Sequence, residues 1–331
     1  MKEIEKCPIC SNDTFETLYH KELQYQGINL NLLDINNVRN YILFNDIVHS
    51  KDAIRFNFKI CTNCGIIFFI PRPEEIDMAI KYKITSDLGD VDEREKIRYK
   101  ISYDDERSLA IYRFINNIRP IYKANIIDLG GGHGFNLKYF LKENSCYVVD
   151  YIKQDLFSGV KYLCRTIEEV SDSFHADLIL YCHTLEHVIN PVEEILRIKK
   201  TLLHGGLLYI EVPFGCCNEY KSTSNFLTHV NFFSTGSLYY LLNKCGFSIK
   251  YLKVKPTMIR EGFDLVIVAL AENSKPNNLN INAFKITKTQ MNANHYHLRI
   301  HQKILNIKLM KFRGFLFYSD KLKRSLGTHM E

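Results

Sequence analysis

The stretch Asp128-Leu-Gly-Gly-Gly-His-Gly134 follows a short apolar run at residues 125–129, which we predict to be a buried strand. It leads into residues 135–142, which we predict to be a helix. Glycines between a strand and a helix let the backbone turn sharply and approach a bound ligand closely. The dinucleotide pattern G-x-G-x-x-G fits at its first two glycines, but Phe135 occupies the third position. A pyrophosphate-binding turn is therefore disfavoured.

A carboxylate stands where the next predicted strand ends. Asp150 lies 20 residues after Gly130 and directly follows the apolar run 146–149. At this position an acidic side chain can accept hydrogen bonds from both hydroxyl groups of a ribose. The turn and Asp150 together indicate a ligand that contains a nucleoside. The alternative is a structural turn beside a surface carboxylate.

Strand and helix signals alternate on the carboxyl side of this turn. Because helices separate most of the strands, the pattern predicts an α/β fold with a doubly wound, mostly parallel sheet. The last two strands have only a short connection, so we expect one antiparallel strand at a side of the sheet. The predicted strands are 125–129, 146–149, 177–181, 206–212, 248–254 and 265–271, and the helices are 135–142, 191–203 and 237–244.

Five motifs in this order resemble those of the class I S-adenosylmethionine-dependent methyltransferases, and the resemblance covers residues 120–272. It implies a seven-stranded sheet of order 3-2-1-4-5-7-6 whose seventh strand is antiparallel. The motifs are the glycine turn at 127–134, the acid Asp150, the fourth-strand segment 177–191, the fifth-strand segment 202–213 and the run His229-Val-Asn-Phe-Phe-Ser234.

The resemblance also implies which residues hold S-adenosylmethionine. The glycine turn would lie against the methionine part, Asp150 would hold the ribose, and the residues after the third and fourth strands would line the rest. These candidate cofactor residues are Asp128, Gly130, Gly132, Gly134, Asp150, Thr166, Ile167, Cys182 and His183.

Methyl transfer to a hydroxyl group needs a group that removes the hydroxyl proton. His229 follows the fifth strand, in a region that shapes the acceptor pocket of this fold, and is our first candidate. Glu186 and His187, in a turn after the fourth strand, are the other two, and Glu211 also lies near the cleft. For each of them the alternative is a purely structural role.

The segment after the fourth strand also limits the classes of methyl acceptor that we expect. Enzymes that methylate exocyclic amino groups of bases commonly carry an Asn/Asp-Pro-Pro-aromatic run there, whereas this chain has Cys182-His-Thr-Leu185. Cys216 and Cys217 could supply a thiolate for attack on a base carbon, or be small unreactive residues. We therefore expect a small-molecule or sugar-linked acceptor, methylated on a hydroxyl.

Ten cysteines are present, and four of them form two C-x-x-C pairs. Cys7, Cys10, Cys61 and Cys64 fit two knuckles around one tetrahedral, structural zinc ion, and free or redox-active thiols are the alternative. The module resembles the zinc-binding domain that precedes some sugar C-methyltransferases. That resemblance implies a sugar or glycoconjugate acceptor.

These patterns divide the chain into four segments. We predict a zinc-ribbon-like module of short strands at 1–75 and a helical linker or lid at 76–119, where a helix begins at a capping box near Asp92 and ends near Ile118. The methyltransferase domain is predicted at 120–272, and a basic helical tail at 273–331.

Charge is unevenly distributed. The net charge is +6, but residues 274–331 contain 11 Lys and Arg against two acidic residues, which leaves the rest of the chain slightly acidic. An RNA methyltransferase is therefore disfavoured, since nucleic acid needs clustered cations. The tail could contact an anionic membrane or partner, or pack on the body or on another subunit.

Apolar residues make up 46% of the chain, but no run approaches the roughly 18 residues of a membrane-spanning helix. The first residues show no apolar signal region, so we expect a cytoplasmic protein. A non-catalytic, zinc-stabilised binding module that retains a cofactor fold is the alternative to an enzyme. The oligomeric state is open.

Overall fold

The computed structural model describes residues 1–27, 35–87, 101–151, 153, 155–215, 227–259 and 262–276. The capping box at Asp92, the pair Cys216 and Cys217, and almost all of the basic tail lie outside these residues. No helix in the described ranges is both long enough and apolar enough to cross a membrane.

The described part of the chain forms five α-helices and eleven strands. The helices are α1 (Ile35–Tyr41), α2 (Glu75–Asp87), α3 (Ile101–Ile118), α4 (Pro191–Thr201) and α5 (Thr235–Lys244). The strands are β1 (Phe15–Leu23), β2 (Ile54–Cys61), β3 (Ile67–Ile70), β4 (Asn125–Leu129), β5 (Ser145–Val149), β6 (Lys161–Cys164), β7 (Ala176–Cys182), β8 (Leu202–Pro213), β9 (Asn231–Phe232), β10 (Ser248–Ile259) and β11 (Gly262–Glu272).

The larger sheet has seven strands in the order β10-β11-β8-β7-β4-β5-β6. Counted along the chain from β4, this is the order 3-2-1-4-5-7-6, so the predicted topology is confirmed. Strands β4 to β8 pair in parallel, and β11 pairs antiparallel with both β8 and β10. Strands β10 and β11 form a hairpin, which explains why no helix connects them.

Apolar side chains of alternating residues cover the two faces of this sheet. Ile126, Leu178 and Leu180 point to one face, where helix α3 packs. Ile127 and Ile179 point to the other face, which α4 and α5 cover. Parallel strands are buried on both faces in this way because helices lie on each side. The doubly wound arrangement is therefore observed.

A second, antiparallel sheet has the order β1-β2-β3-β9. Its first three strands come from the N-terminal module, but β9 comes from the segment between β8 and α5. Ile67 of β3 faces Phe232 of β9 in the register, and the rings of Phe58 and Phe232 lie 5.9 Å apart. One apolar core runs through both parts of the chain. The N-terminal module is thus built into the larger domain.

Two local predictions differ from the structure. Residues 135–142 form only a short 3-10 helix, Phe135–Leu137, followed by turns. Gly134, at the helix start, has a positive φ of 76° and no side chain that could cap the helix. The N-terminal module was predicted without helices, yet it contains α1 and one π-helical segment, Ile42–Ile47, whose first three residues are buried.

Candidate active site

The glycine turn after β4 is shaped by three residues with positive φ. Gly130 and Gly132 have φ of 70° and 55°. A Cβ atom on Gly130 would overlap the side chain of Thr184, with Thr184 Cγ2 at 2.8 Å, whereas a Cβ on Gly132 would meet nothing within 4 Å. The backbone at Gly130 therefore touches the loop after β7, while the backbone at Gly132 borders open space. That space is where a ligand can approach the turn.

Gly130→Ala is expected to reduce stability and cofactor binding together, because the new methyl group would collide with Thr184 and φ would be strained. The lost stability should be on the order of 1–3 kcal/mol. Gly205→Ala is the matched control, since Gly205 has φ of 79° and open space around its Cβ position, away from the turn. Thermal unfolding and calorimetry with S-adenosylhomocysteine measure both effects. Equal behaviour of the two variants would contradict the packing of Gly130 against Thr184.

Asp128 lies beneath the turn and is fully buried. Its carboxylate accepts a hydrogen bond from Asn136 Nδ2 at 3.1 Å, and a Cβ on Gly131 would overlap it. Burial raises the pKa of Asp128 to about 7, and Asn136 opposes that shift. The structure therefore places Asp128 as a support under the glycine turn.

Asp150 directly follows β5 and faces the turn. Its Oδ2 accepts a hydrogen bond from the amide of Gly132 at 2.9 Å, and its own amide donates to the carbonyl of Cys164 at 3.2 Å. Thr166 and the buried Ile167 follow Cys164 at the end of β6. The predicted ribose acid and the predicted adenine neighbours thus lie at the carboxyl ends of adjacent strands, where parallel sheets place their ligands.

Cys182 ends β7, and His183 follows it with a positive φ of 52°. The Cys182 thiol is buried, and burial raises its pKa well above the ordinary value. His183 Nε2 lies 3.0 Å from Glu211 Oε1, and His183 Nδ1 lies 3.7 Å from Glu186 Oε1. Burial disfavours the charged imidazole, but the two carboxylates outweigh it and raise the pKa of His183 to about 9.

Glu211 is the centre of a buried polar network. Arg107 of α3 donates to its Oε1 at 3.0 Å, and the Tyr209 hydroxyl donates to its Oε2 at 3.0 Å. Burial alone would raise the pKa of Glu211, but Arg107 and His183 hold it well below the ordinary range. Arg107 was not identified from the sequence, since nothing local distinguishes it from the other charged residues of its helix.

The side chains of Glu186, His187 and His229 lie close together. Glu186 and His187 lie in the turn Leu185–His187 after β7, and His229 lies just before β9. Glu186 Oε1 is 3.7 Å from His187 Nε2 and 3.9 Å from His229 Nε2, and the two imidazole rings are 4.9 Å apart. Despite its burial, the pKa of Glu186 is lowered to about 2 by the surrounding imidazoles, with His187 first.

Helix α2 supplies two neighbours of this cluster that sequence reasoning missed. Lys81 is buried and donates to the carbonyl of Leu227 at 3.0 Å, with its Nζ 4.0 Å from the ring centroid of Tyr82. Burial lowers the pKa of Lys81 to about 7. Burial first, and then the charges of Glu186 and Asp150, raise the pKa of Tyr82 to about 12. Tyr82 therefore lies within electrostatic range of both Asp150, on the cofactor side, and Glu186, in the histidine cluster.

The comparison with known families agrees with this geometry. Residues 103–252 match the sequence model of a family described as a methyltransferase domain. The chain carries a methyltransferase domain. The observed sheet order is also the one that the resemblance to class I S-adenosylmethionine-dependent methyltransferases implies. A search of curated proteins found no match.

Several solved structures are similar to this methyltransferase. A S-adenosylmethionine-dependent methyltransferase of Methanosarcina mazei is 20% identical, with 49% of this chain and 97% of that chain covered at a TM-score of 0.40. The 1,6-didemethyltoxoflavin-N1-methyltransferase of Burkholderia thailandensis is 15% identical, with 67% of this chain and 96% of that chain covered at a TM-score of 0.48. An N-methyltransferase of Bradyrhizobium japonicum in complex with S-adenosylhomocysteine is 15% identical, with 51% of this chain and 86% of that chain covered at a TM-score of 0.40.

The four paired cysteines converge at the edge of the methyltransferase domain. Cys7 Sγ is 3.6 Å from Cys64 Sγ, Cys10 Sγ is 3.4 Å from Cys61 Sγ, and all four sulfurs lie within 4.8 Å of one another. Disulfide sulfurs would be about 2.05 Å apart. Zinc–sulfur bonds of about 2.3 Å in a tetrahedron separate the sulfurs by roughly 3.8 Å. The four thiols therefore fit a tetrahedral zinc ion.

Hydrogen bonds join the N-terminal module to α5 and to the loop that holds His229. Lys244 of α5 donates to the carbonyl of Ile9 between Cys7 and Cys10, at 2.7 Å. Arg72, after β3, donates to the carbonyls of Val230 and Ile189 at 2.8 and 2.9 Å, and to Asn231 Oδ1 at 2.8 Å. Since Val230 and Asn231 follow His229 directly, the N-terminal module holds one side of the candidate acceptor site.

Proposed function

We propose that the methyltransferase transfers the methyl group of S-adenosylmethionine to a hydroxyl group of a small-molecule or sugar-linked acceptor. One observation carries this proposal. Gly130 of the cofactor turn packs against Thr184, and Thr184 begins the turn that holds Glu186 and His187. Groups that could accept a proton therefore adjoin the place where the cofactor would bind.

The cofactor side follows from the residues at the carboxyl ends of β4 and β5. S-adenosylmethionine supplies a methyl group that its sulfonium already activates. The open backbone at Gly132 leaves room for its close approach. The Asp150 carboxylate, which accepts one hydrogen bond from Gly132, has further lone pairs for ribose hydroxyls. The protein's contribution on this side is binding and orientation.

The acceptor side favours a hydroxyl. A neutral amine attacks without prior loss of a proton, whereas a hydroxyl needs a nearby base. Burial lowers the pKa of His187 to about 4. Glu186 is ionised, and His229 lies beside both. We infer that this cluster holds the acceptor oxygen and takes its proton, with His229, Glu186 and His187 as the candidate residues.

S-adenosylhomocysteine formation tests this function. Purified protein with S-adenosylmethionine and a panel of nucleotide-linked sugars is expected to release S-adenosylhomocysteine with at least one acceptor above the background without acceptor. If the protein binds S-adenosylmethionine but Glu186→Gln does not change the release, the histidine cluster is not the acceptor site. A protein that binds no S-adenosylmethionine would instead be a binding module that retains only the fold.

We also propose that Cys7, Cys10, Cys61 and Cys64 hold a structural zinc ion. The sulfur spacing supports it, and four thiolates leave no open coordination position for catalysis. The sugar-linked acceptor class rests on the likeness of this module to the one found beside sugar methyltransferases. Both points are open to experiment.

Metal analysis of the purified protein is expected to give about one zinc per chain, from the stoichiometry of a four-thiolate site. Cys61→Ser should lose that zinc and lower the unfolding temperature. Because β9, next to His229, completes the N-terminal sheet, the Cys61→Ser variant should also have a lower turnover. Cys164→Ser removes a thiol outside the cluster and is expected to keep the zinc. Unchanged stability after complete zinc removal would exclude a structural role.

A further inference from the structure

Glu186 is a buried carboxylate whose nearest charged neighbour is His183, with Nδ1 at 3.7 Å from Oε1. Its side chain is 2% exposed, and neither carboxylate oxygen has a hydrogen-bond partner among the described residues. A buried charge is costly unless it is paired or coordinates a metal. The neighbouring Glu211 is already paired, since Arg107 donates to it. The groups around Glu186 are imidazoles.

The orientation of His187 shows which of its ring nitrogens could bind a ligand beside Glu186. His187 Nδ1 lies 2.6 Å from the carbonyl oxygen of Thr228, so this nitrogen carries the proton and donates it. In the neutral ring, Nε2 then presents a lone pair. This nitrogen lies 3.7 Å from Glu186 Oε1 and 3.1 Å from the carbonyl oxygen of His183. Nε2 therefore either donates a second proton to the carbonyl of His183 or, in the neutral ring, offers a lone pair to a cation beside the Glu186 carboxylate.

We propose that Glu186, His187 and His229 bind a divalent first-row transition-metal ion through one carboxylate oxygen and the two Nε2 atoms. Their ligand atoms lie within 4.8 Å of one another, and Glu186 Oε1 is 3.7 and 3.9 Å from the two nitrogens. Bonds of about 2.1 Å in a tetrahedron would require separations of roughly 3.4 Å. Small side-chain rotations therefore complete the site. The contact between His187 Nδ1 and a backbone carbonyl is the usual outer support of a metal-binding histidine.

Two histidines and one carboxylate leave coordination positions open. If the proposed function is correct, an acceptor oxygen would occupy one of them. The ion would position that oxygen and lower the pKa of its hydroxyl. This inference deepens the proposed function, on which its catalytic meaning rests. Binding of the ion itself can be measured without any acceptor.

The test uses the full chain with zinc already at the four cysteines. Mn²⁺ is the probe because it prefers nitrogen and oxygen ligands and leaves thiolates to zinc. Paramagnetic resonance of free Mn²⁺ should show one bound ion per wild-type chain. Glu186→Gln and His187→Gln should each weaken that binding at least about 100-fold, beyond the 10–100-fold that loss of an outer partner causes. His204→Gln, at an exposed position near the start of β8, is the matched control and should bind Mn²⁺ normally.

Calorimetry with S-adenosylhomocysteine accompanies each variant and should give unchanged affinity, which shows that the fold is intact. Wild-type protein that binds neither Mn²⁺ nor Co²⁺ beyond the cysteine site would overturn the inference. His183, whose pKa the two carboxylates raise, would then balance Glu186 without an ion. Mn²⁺ binding that both variants retain would overturn it as well. Neither result touches the proposed function, which the release of S-adenosylhomocysteine decides separately.

Discussion

Asp150→Ala is expected to weaken the binding of S-adenosylhomocysteine at least about 100-fold. The carboxylate is placed to accept two charge-assisted hydrogen bonds from the ribose, each worth roughly 1.5–3 kcal/mol. It also fixes the amide of Gly132 at 2.9 Å, so its loss loosens the turn. Isothermal titration calorimetry measures the dissociation constant directly.

Two further variants make this result specific. Asp150→Asn keeps the shape but removes the charge, and should fall between wild type and Asp150→Ala. Asp172→Ala removes an exposed carboxylate of the same domain, 82% accessible, and should bind like wild type. An unchanged dissociation constant for Asp150→Ala would mean that Asp150 is not the ribose partner.

His229→Ala is expected to lower turnover on the order of 10²-fold or more with whichever acceptor the wild type methylates, the usual range for a lost proton-transfer group. Its Nε2 lies 3.9 Å from Glu186 Oε1, and its ring packs against His187. The expectation is the same whether the imidazole takes the proton or holds an ion. Steady-state release of S-adenosylhomocysteine provides the measurement.

Cofactor affinity separates a role of His229 at the acceptor from a role in the fold. Since Gly130, Gly132 and Asp150 are unchanged in the variant, its dissociation constant for S-adenosylhomocysteine should stay at the wild-type value. Joint loss of cofactor binding and turnover would assign His229 to the structure of the loop. Unchanged turnover would leave the proton to Glu186 or His187.

The sheet and the cofactor turn could be predicted because their signals are local. Apolar runs bounded by helices mark buried parallel strands, and the glycines at 130, 132 and 134 suit the positive φ of the turn. The position of Asp150 beside the turn could be predicted because it follows from strand length, and its role as the ribose acid stays a prediction. The two cysteine pairs were also visible, and the structure brings their four sulfurs together.

Contacts between distant parts of the chain were not visible in the sequence. The pairing of β3 with β9 joins Ile67 to Phe232 across about half of the chain, and no periodicity in the sequence predicts it. Arg72, Lys81 and Arg107 are ordinary charged residues in the sequence, and only the fold shows that they lie in the interior. The helix predicted at 135–142 is observed only as the 3-10 helix Phe135–Leu137, which follows Gly134 at a positive φ of 76°.

Identification of the atom that receives the methyl group tests the proposed function most directly. Protein, S-adenosylmethionine with an isotope-labelled methyl carbon, and a panel of nucleotide-linked sugars are incubated, and carbon magnetic resonance of the product identifies the labelled group. A buried carboxylate and two histidines beside the cofactor turn predict a methoxy signal, with the label bonded to oxygen. A label bonded to nitrogen or to a ring carbon would contradict hydroxyl methylation.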